Sequence, residues 1–210
     1  MLELLVSDPA SLSSIRRPTD AWRVHVADSL SGLELAGSPA RIADVGAGAG
    51  FPGIVLAAAL PDASVDLIES VARKCEFMRR ALAAAEIGNA SVVCERSETW
   101  AAKSPPEGGR ESYDLVTARA VGRLSTLAEL ASPLLVDGGA LLAWKGRRDP
   151  GEEEELERAS GPLAMAPQEV RWVGPYAGSE NRHLHLLRKR GATPDGLPRR
   201  PGMAKKRPFG

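Results

Sequence analysis

The chain of 210 residues is 43% apolar but only 4% aromatic, enough for one domain whose core is built mainly from Ala, Leu and Val. No apolar run reaches the ~18 residues of a membrane span, the start MLELLVSDPA has no basic stretch of the kind that opens a signal peptide, and Cys75 and Cys94 have neither metal-ligand nor disulfide spacing. A cytoplasmic protein with both cysteines facing the core is expected. The formal charge is zero, yet residues 188–210 hold eight Lys or Arg against one acid, Asp195. A tail of charge +7 on a body of charge −7 suits a polyanion approached from one side.

In chain order, residues 1–40 read as an N-terminal helical region, turn-prone over DPASLSSI and helical over Asp20–Leu35. Arg41–Gly46 is a short apolar strand that runs into DVGAGAGFPG, Asp44 to Gly53. Pro52 then suits the start of a helix over IVLAAAL, because the N–H it lacks would have no partner there. After a turn at Pro61-Asp62, Ser64–Glu69 is a second strand ending in an acid. Ala72–Ala85 is a helix stopped by Gly88-Asn89, and Ala90–Glu95 a third strand. Lys103–Arg110 is a loop, Tyr113–Thr117 a fourth strand, Leu124–Leu135 a helix, Asp137-Gly138-Gly139 a turn and Ala140–Trp144 a fifth strand. Pro150–Ser160 is a helix with Glu152–Glu155 on a solvated face, and Glu169–Val173 and His183–Leu187 are two closing strands. Strands alternating with helices give an α/β doubly wound parallel sheet. The connection from Gly174 to Arg182 is shorter than the dozen or so residues of a parallel crossover, so the last strand is expected to be antiparallel. The expected architecture is a Rossmann-like, seven-stranded sheet over residues 41–190, followed by a basic tail, residues 191–210.

The glycine loop narrows the ligand. A triphosphate loop needs Gly-Lys-Ser/Thr at the helix start, whereas this one reads Gly50-Phe51-Pro52-Gly53. Gly48 to Gly53 fits G-x-G-x-x-G by letters, but pyrophosphate is held by backbone N–H groups at the helix start and Pro52 removes one. S-adenosylmethionine carries no phosphate and loses nothing by that. Gly46, Gly48 and Gly50 let the backbone approach its methionine and ribose parts, Asp44 is placed to hold its ammonium group, Glu69 its ribose hydroxyls, and Ser97 and Glu98, ending the third strand, its adenine.

DVGAGAGFPGIVLA, LIESVARKCEFMR, VVCERSETW, YDLVTARAVGRL and LLAWKG, in that order, resemble the RsmG (GidB) family over about residues 20–190, and the basic Pro-Arg-Arg-Pro-Gly-Met-Ala-Lys-Lys-Arg-Pro tail looks like the end of many members. The resemblance implies a class I methyltransferase fold and transfer of a methyl group from S-adenosylmethionine to N7 of a guanine in 16S ribosomal RNA of the small subunit. It places cofactor contacts on Gly46, Phe51, Ser97, Glu98 and Arg119, with Glu69 on the ribose. It matches His25-Val26-Ala27-Asp28-Ser29 to an element that borders the site. Members carry a longer N-terminal region with a Trp-Asn pair before Leu-Thr-x-Ile. Only Leu12-Ser13-Ser14-Ile15 corresponds here, so residues 1–40 are expected to be shortened.

The residues are compatible with that chemistry. Guanine N7 has a free lone pair and no proton, so no catalytic base is expected, and alignment is what the protein must supply. Thr117-Ala118-Arg119-Ala120 stands where amine methylation uses Asp/Asn-Pro-Pro-aromatic, and neither cysteine sits where a pyrimidine-carbon nucleophile would. Arg119, Arg123 and Lys145, near the ends of the fourth and fifth strands, are expected to position the base through O6 or phosphate. Arg23, His25, Arg123, Lys145, Arg199, Arg200, Lys205, Lys206 and Arg207 form the expected RNA side, with Trp144 in the core and no metal at His183 and His185. The expected partner is the RNA within the small subunit or its assembly intermediate, met by a monomer without membrane contact. Alternatives within the fold act on another nucleic acid or a small molecule; from other functional classes come a ribosome-associated RNA-binding factor that keeps the fold without turnover and, disfavoured by Pro52, a nicotinamide oxidoreductase.

Overall fold

The computed structural model describes residues 1–8 and 12–209. Five parallel strands, β1 (Arg41–Val45), β2 (Ser64–Ile68), β3 (Ala90–Val93), β4 (Tyr113–Arg119) and β5 (Leu135–Lys145), are joined by β6 (Met165–Val173) and β7 (Arg182–Lys189). The sheet order is β3-β2-β1-β4-β5-β7-β6, and β7 runs antiparallel to both of its neighbours. This is the expected α/β sheet with an antiparallel closing strand.

Period-two alternation splits the core between the two faces. Ile42, Leu67, Leu142 and Trp144 point to one, with α1 (Leu2–Ser7), the helical stretch Pro18–Leu30, α5 (Gly53–Ala59) and α6 (Ala72–Ala84). Ala43, Ile68, Leu141 and Ala143 point to the other, with α7 (Ser97–Ala101), α8 (Leu124–Ala131) and α9 (Pro150–Leu163). Asn89 closes the turn after α5: its amide donates to the carbonyls of Ala57, Leu60 and Ala63.

Several expectations are corrected. The helix over Asp20–Leu35 is broken into α2 (Pro18–Ala21), a π-helical stretch Trp22–Ala27, α3 (Asp28–Leu30) and α4 (Leu33–Ala36). At the interruption Gly32 faces Trp144, where a side chain would collide with the indole. The turn-prone stretch from Asp8 to Ile15 falls partly on residues 9–11, outside the described residues. The helix read over Leu124–Leu135 stops at Ala131, ahead of Pro133, which has no N–H to continue it. Asp137-Gly138-Gly139 is no turn but a bulge within β5: Leu135 pairs with Tyr113, and Ala140 already pairs with Leu115. Cys75 is buried as expected, but Cys94 is exposed, one residue past the end of β3. The acidic face of α9 is not solvated throughout. Glu152 is buried, accepting from the Leu124 N–H at 2.7 Å and from Lys145 Nζ at 2.6 Å.

Candidate active site

β1 lies between β2 and β4, and the chain order reverses between β1 and β4. In open α/β sheets the crevice at such a switch point, beyond the carboxyl ends of the strands, receives the ligand. The loop after β1 fills it. Gly46 and Gly50 have φ of +66° and +93°, conformations that L side chains rarely adopt. A Cβ on Gly46 would stand 2.7 Å from Val121 Cγ2.

Asp44 does not reach the crevice, which corrects the expectation that it meets a ligand ammonium group directly. It is fully buried, with Oδ2 accepting from the Gly53 N–H at 2.9 Å and Oδ1 from the Thr117 hydroxyl at 2.8 Å. Burial pushes its carboxyl up to about 6, against the pull of Thr117, Gly53 and Arg119. Asp44 thus ties the loop to β4. The same bonds bear on the ligand's chemistry. The Gly53 N–H at the start of α5 is taken by a carboxylate, the Ile54 N–H bonds the Gly50 carbonyl at 2.8 Å, and Pro52 has none. A pyrophosphate would find no free donor there and would face a buried acid.

Four expected cofactor residues do come together. Gly46, Glu69, Ser97 and Glu98 line one cavity of about 470 Å³, with Ile68, Val121 and Leu130 as apolar walls. Its size and mixed lining are those of a small-molecule site. Glu69 Oε2 accepts from the Gly48 N–H at 3.2 Å, and Oε1 from the Ser70 and Val71 N–H groups at 2.8 and 2.9 Å, which fixes its carboxylate toward the loop. Ser97 and Glu98 open α7 rather than ending β3.

His25, Phe51 and Arg119 assemble beside the loop. The rings of His25 and Phe51 stack with centroids 4.8 Å apart, and the Arg119 guanidinium lies 5.5 Å from the Phe51 centroid. Arg119 Nη1 donates to Asp28 Oδ2 at 2.8 Å, and Nη2 lies 3.3 Å from His25 Nδ1. Arginine has no acceptor, so Nδ1 must be the unprotonated nitrogen, and Nε2–H then donates to Ser13 Oγ at 2.9 Å. The partnership of Asp28 with Arg119, 91 residues away in sequence, escaped the sequence reading; its one signal was the spacing of His25 and Asp28, which puts both on one side of a helical turn.

Burial, and then the Arg119 charge, lower the His25 imidazole from 6.5 to about 4. Between those values the unfolded chain takes up the proton and the folded one does not, so this contribution to stability is lost as pH falls from 6.5 toward 4. Asp44 acts in the opposite sense, since its raised folded-state value favours the folded chain below 6. His25→Gln should therefore lose less stability than the parent chain on going from about pH 7 to about pH 5. Equal losses in denaturant titrations at the two pH values would count against His25 as the acid-sensitive group.

The structure does not bring the expected cations together as a free set. Arg123 is paired with Glu155 at 2.7 Å, with half its side chain exposed. Lys145 is tied to Glu152 and to the Gly122 carbonyl. Arg199 is turned inward and grips buried Glu129 through both guanidinium and carboxylate forks, which corrects its placement on an open RNA-facing tail. Arg23, Arg200, Lys205, Lys206 and Arg207 are exposed. His183 Nδ1 lies 3.0 Å from the Gly146 carbonyl and His185 is buried. Among the described residues no helix is long and apolar enough to cross a membrane.

Comparison with known proteins agrees with this geometry. A structure of a predicted O-methyltransferase from Agrobacterium tumefaciens is similar at a TM-score of 0.59 and 28% identity, covering 78% of this chain and 79% of its own. A SAM-dependent methyltransferase from Aquifex aeolicus shares the fold at a TM-score of 0.61 and 16% identity, covering 87% and 98%. The Ribosomal RNA small subunit methyltransferase G of Chloroflexus aggregans is 39% identical over 211 residues, 99% of this chain and 86% of the relative. That of Synechococcus sp. strain JA-3-3Ab is 38% identical over 207 residues, 95% and 78%. The model of the family described as GidB, rRNA small subunit methyltransferase G, matches residues 4–184. With its glycine loop at the switch point of a methyltransferase sheet and these relatives along nearly its whole length, the chain belongs to the GidB family.

Proposed function

We propose that this protein transfers the methyl group of S-adenosylmethionine to N7 of a guanine in 16S ribosomal RNA. The observation that carries the reading is the start of α5: its N–H groups are consumed by Asp44 and Gly50, so the crevice suits a ligand without phosphate. Glu69 and Glu98 bring two carboxylates into a cavity with apolar walls, a fit for ribose hydroxyls and the adenine amine. Gly46, which lines the cavity, would meet the methionine end, with Gly48, Gly50 and Phe51 in the same loop, and Ser97 would lie beside the adenine.

When bound, S-adenosylmethionine supplies a methyl group on a positively charged sulfur. Guanine N7 is the nucleophile, and no side chain has to take a proton from it. The protein's task is to hold the base in line with the sulfur–methyl bond. The stack of neutral His25, Phe51 and Arg119 lies beside the loop that would carry the donor, and Asp28 fixes the direction of the guanidinium. Arg23, Arg200, Lys205, Lys206 and Arg207 offer exposed charge to the RNA backbone; Arg123 and Lys145 contribute from their paired positions. The substrate is the RNA in the small subunit or its assembly intermediate, met by a monomer in the cytoplasm.

Titration calorimetry with S-adenosylmethionine and, separately, NAD tests the cofactor. Binding of the first alone is expected, and binding of NAD alone would overturn the reading. Incubation with small-subunit RNA lacking the modification should then yield 7-methylguanosine at one position. Turnover on free nucleotides or metabolites but not on that RNA would replace the substrate; donor binding with no turnover on any would make the protein an RNA-binding factor.

A further inference from the structure

By composition the C-terminal segment looks like a solvated tail, yet it is built into the domain. Lys189, at the end of β7, has no exposed surface and is bonded to Glu111, the Leu135 carbonyl and Thr193. Arg110 Nη1 donates to the Leu197 carbonyl at 3.0 Å, and the Leu197 side chain is buried in the core. The chain then crosses α8. Arg199 grips Glu129, its Nη2 also donates to the Arg207 carbonyl at 2.8 Å, and its guanidinium lies 4.3 Å from the Phe209 ring centroid. One residue thereby ties both ends of the segment 199–209 to one buried acid. Between those ends, the short helix α10 (Met203–Lys206) is seated by the bond from Thr126 Oγ1 to the Ala204 carbonyl, 3.2 Å.

What the segment covers is the cavity. Gly202, Ala204, Lys205 and Lys206 line it together with Glu69 and Ser97. The Gly202 N–H donates to Glu98 Oε1 at 2.7 Å. Glu98, buried to 8% exposure, therefore takes its direction from the tail as well as from α7.

We propose that Arg199 is a positioning residue for the methyl donor: through Glu129 it holds residues 199–209 as the outer wall of the donor cavity, and the Gly202 N–H sets the Glu98 carboxylate. The proposal rests on the reading of that cavity as the S-adenosylmethionine site. Arg199 touches neither donor nor RNA; it acts through the backbone it fixes. The wall carries exposed Lys205 and Lys206, so an RNA that engages these cations bears directly on the donor's enclosure. By linkage, RNA and donor should each tighten the other's binding by the same factor.

Three measurements test this. In calorimetry, Arg199→Ala should raise the Kd for S-adenosylmethionine about tenfold or more, and in turnover it should raise the donor KM with kcat at saturating donor largely kept, the pattern of lost uniform binding. Arg199→Lys, which keeps a charge for Glu129 but not the fork, should recover only part of that loss. In the unaltered protein, saturating donor should slow trypsin cleavage after Lys205 and Lys206 about tenfold or more. That readout is independent of whether Arg199→Ala folds, and a purely structural role for the tail would leave it unmoved. Cleavage at equal rates with and without bound donor overturns the proposal, as does an unchanged Kd in folded Arg199→Ala. If the unaltered protein binds no donor in calorimetry, the functional reading falls and takes the proposal with it; donor binding without tail protection sinks the proposal alone.

Discussion

Gly46→Val should abolish detectable S-adenosylmethionine binding while leaving a folded protein. The φ of +66° at this position places a β-branched residue in a conformation it adopts only under strain, and the new side chain starts 2.7 Å from Val121. Strain of that kind costs about 1–3 kcal/mol, which a domain of this size survives. The loop would have to shift, and it lines the cavity at the point where the donor's backbone-like end must pass closest. Circular dichroism and a denaturant titration would report the modest stability loss, and calorimetry the missing heat of binding. Undiminished donor affinity in Gly46→Val would place the cofactor somewhere other than this loop.

The largest loss of stability is expected at Arg119→Ala. Asp28 is 2% exposed, and Arg119 is the partner that hydrogen-bonds it, while Arg182 Nε stands 3.6 Å from its other oxygen. Among the described residues Asp28 Oδ1 accepts no hydrogen bond. Removing one member of a buried pair leaves the other charge poorly compensated, a loss of about 3–5 kcal/mol. Asp28→Leu together with Arg119→Met should cost much less than the sum of the single changes, because no orphaned charge remains. Additive losses in that cycle would mean that the pair is not energetically coupled. Arg119→Ala should also release the imidazole that it holds, so turnover should fall even under conditions where the variant remains folded.

The sheet was readable because its signals are local. Each parallel strand is a short apolar run followed by a helical one, and the length of the connection to β7 decides its direction. The glycine loop was readable for the same reason: the absence of Gly-Lys-Ser/Thr and the presence of Pro52 are facts about adjacent residues. What escaped was made by pairs far apart in the chain. Arg199 and Glu129 are separated by 70 residues, and nothing in a Pro-, Gly- and Arg-rich composition distinguishes a segment that floats from one clamped by a single fork. Glu152 looked like one of four solvated acids until the start of α8 presented it with the Leu124 N–H and β5 with Lys145. The Asp-Gly-Gly bulge was read as a turn because both use glycine at positive φ; only the partner strand tells them apart.

The order in which the wall of the cavity is made has a consequence for biosynthesis. All seven strands and the glycine loop are complete by Lys189, but Gly202, Ala204 and the two lysines that enclose the cavity follow. Each strand becomes available in the order in which it is synthesised, so the strands N-terminal to β7 can pair before the segment that walls the cavity exists, and the enclosed pocket is among the last features of the fold to form.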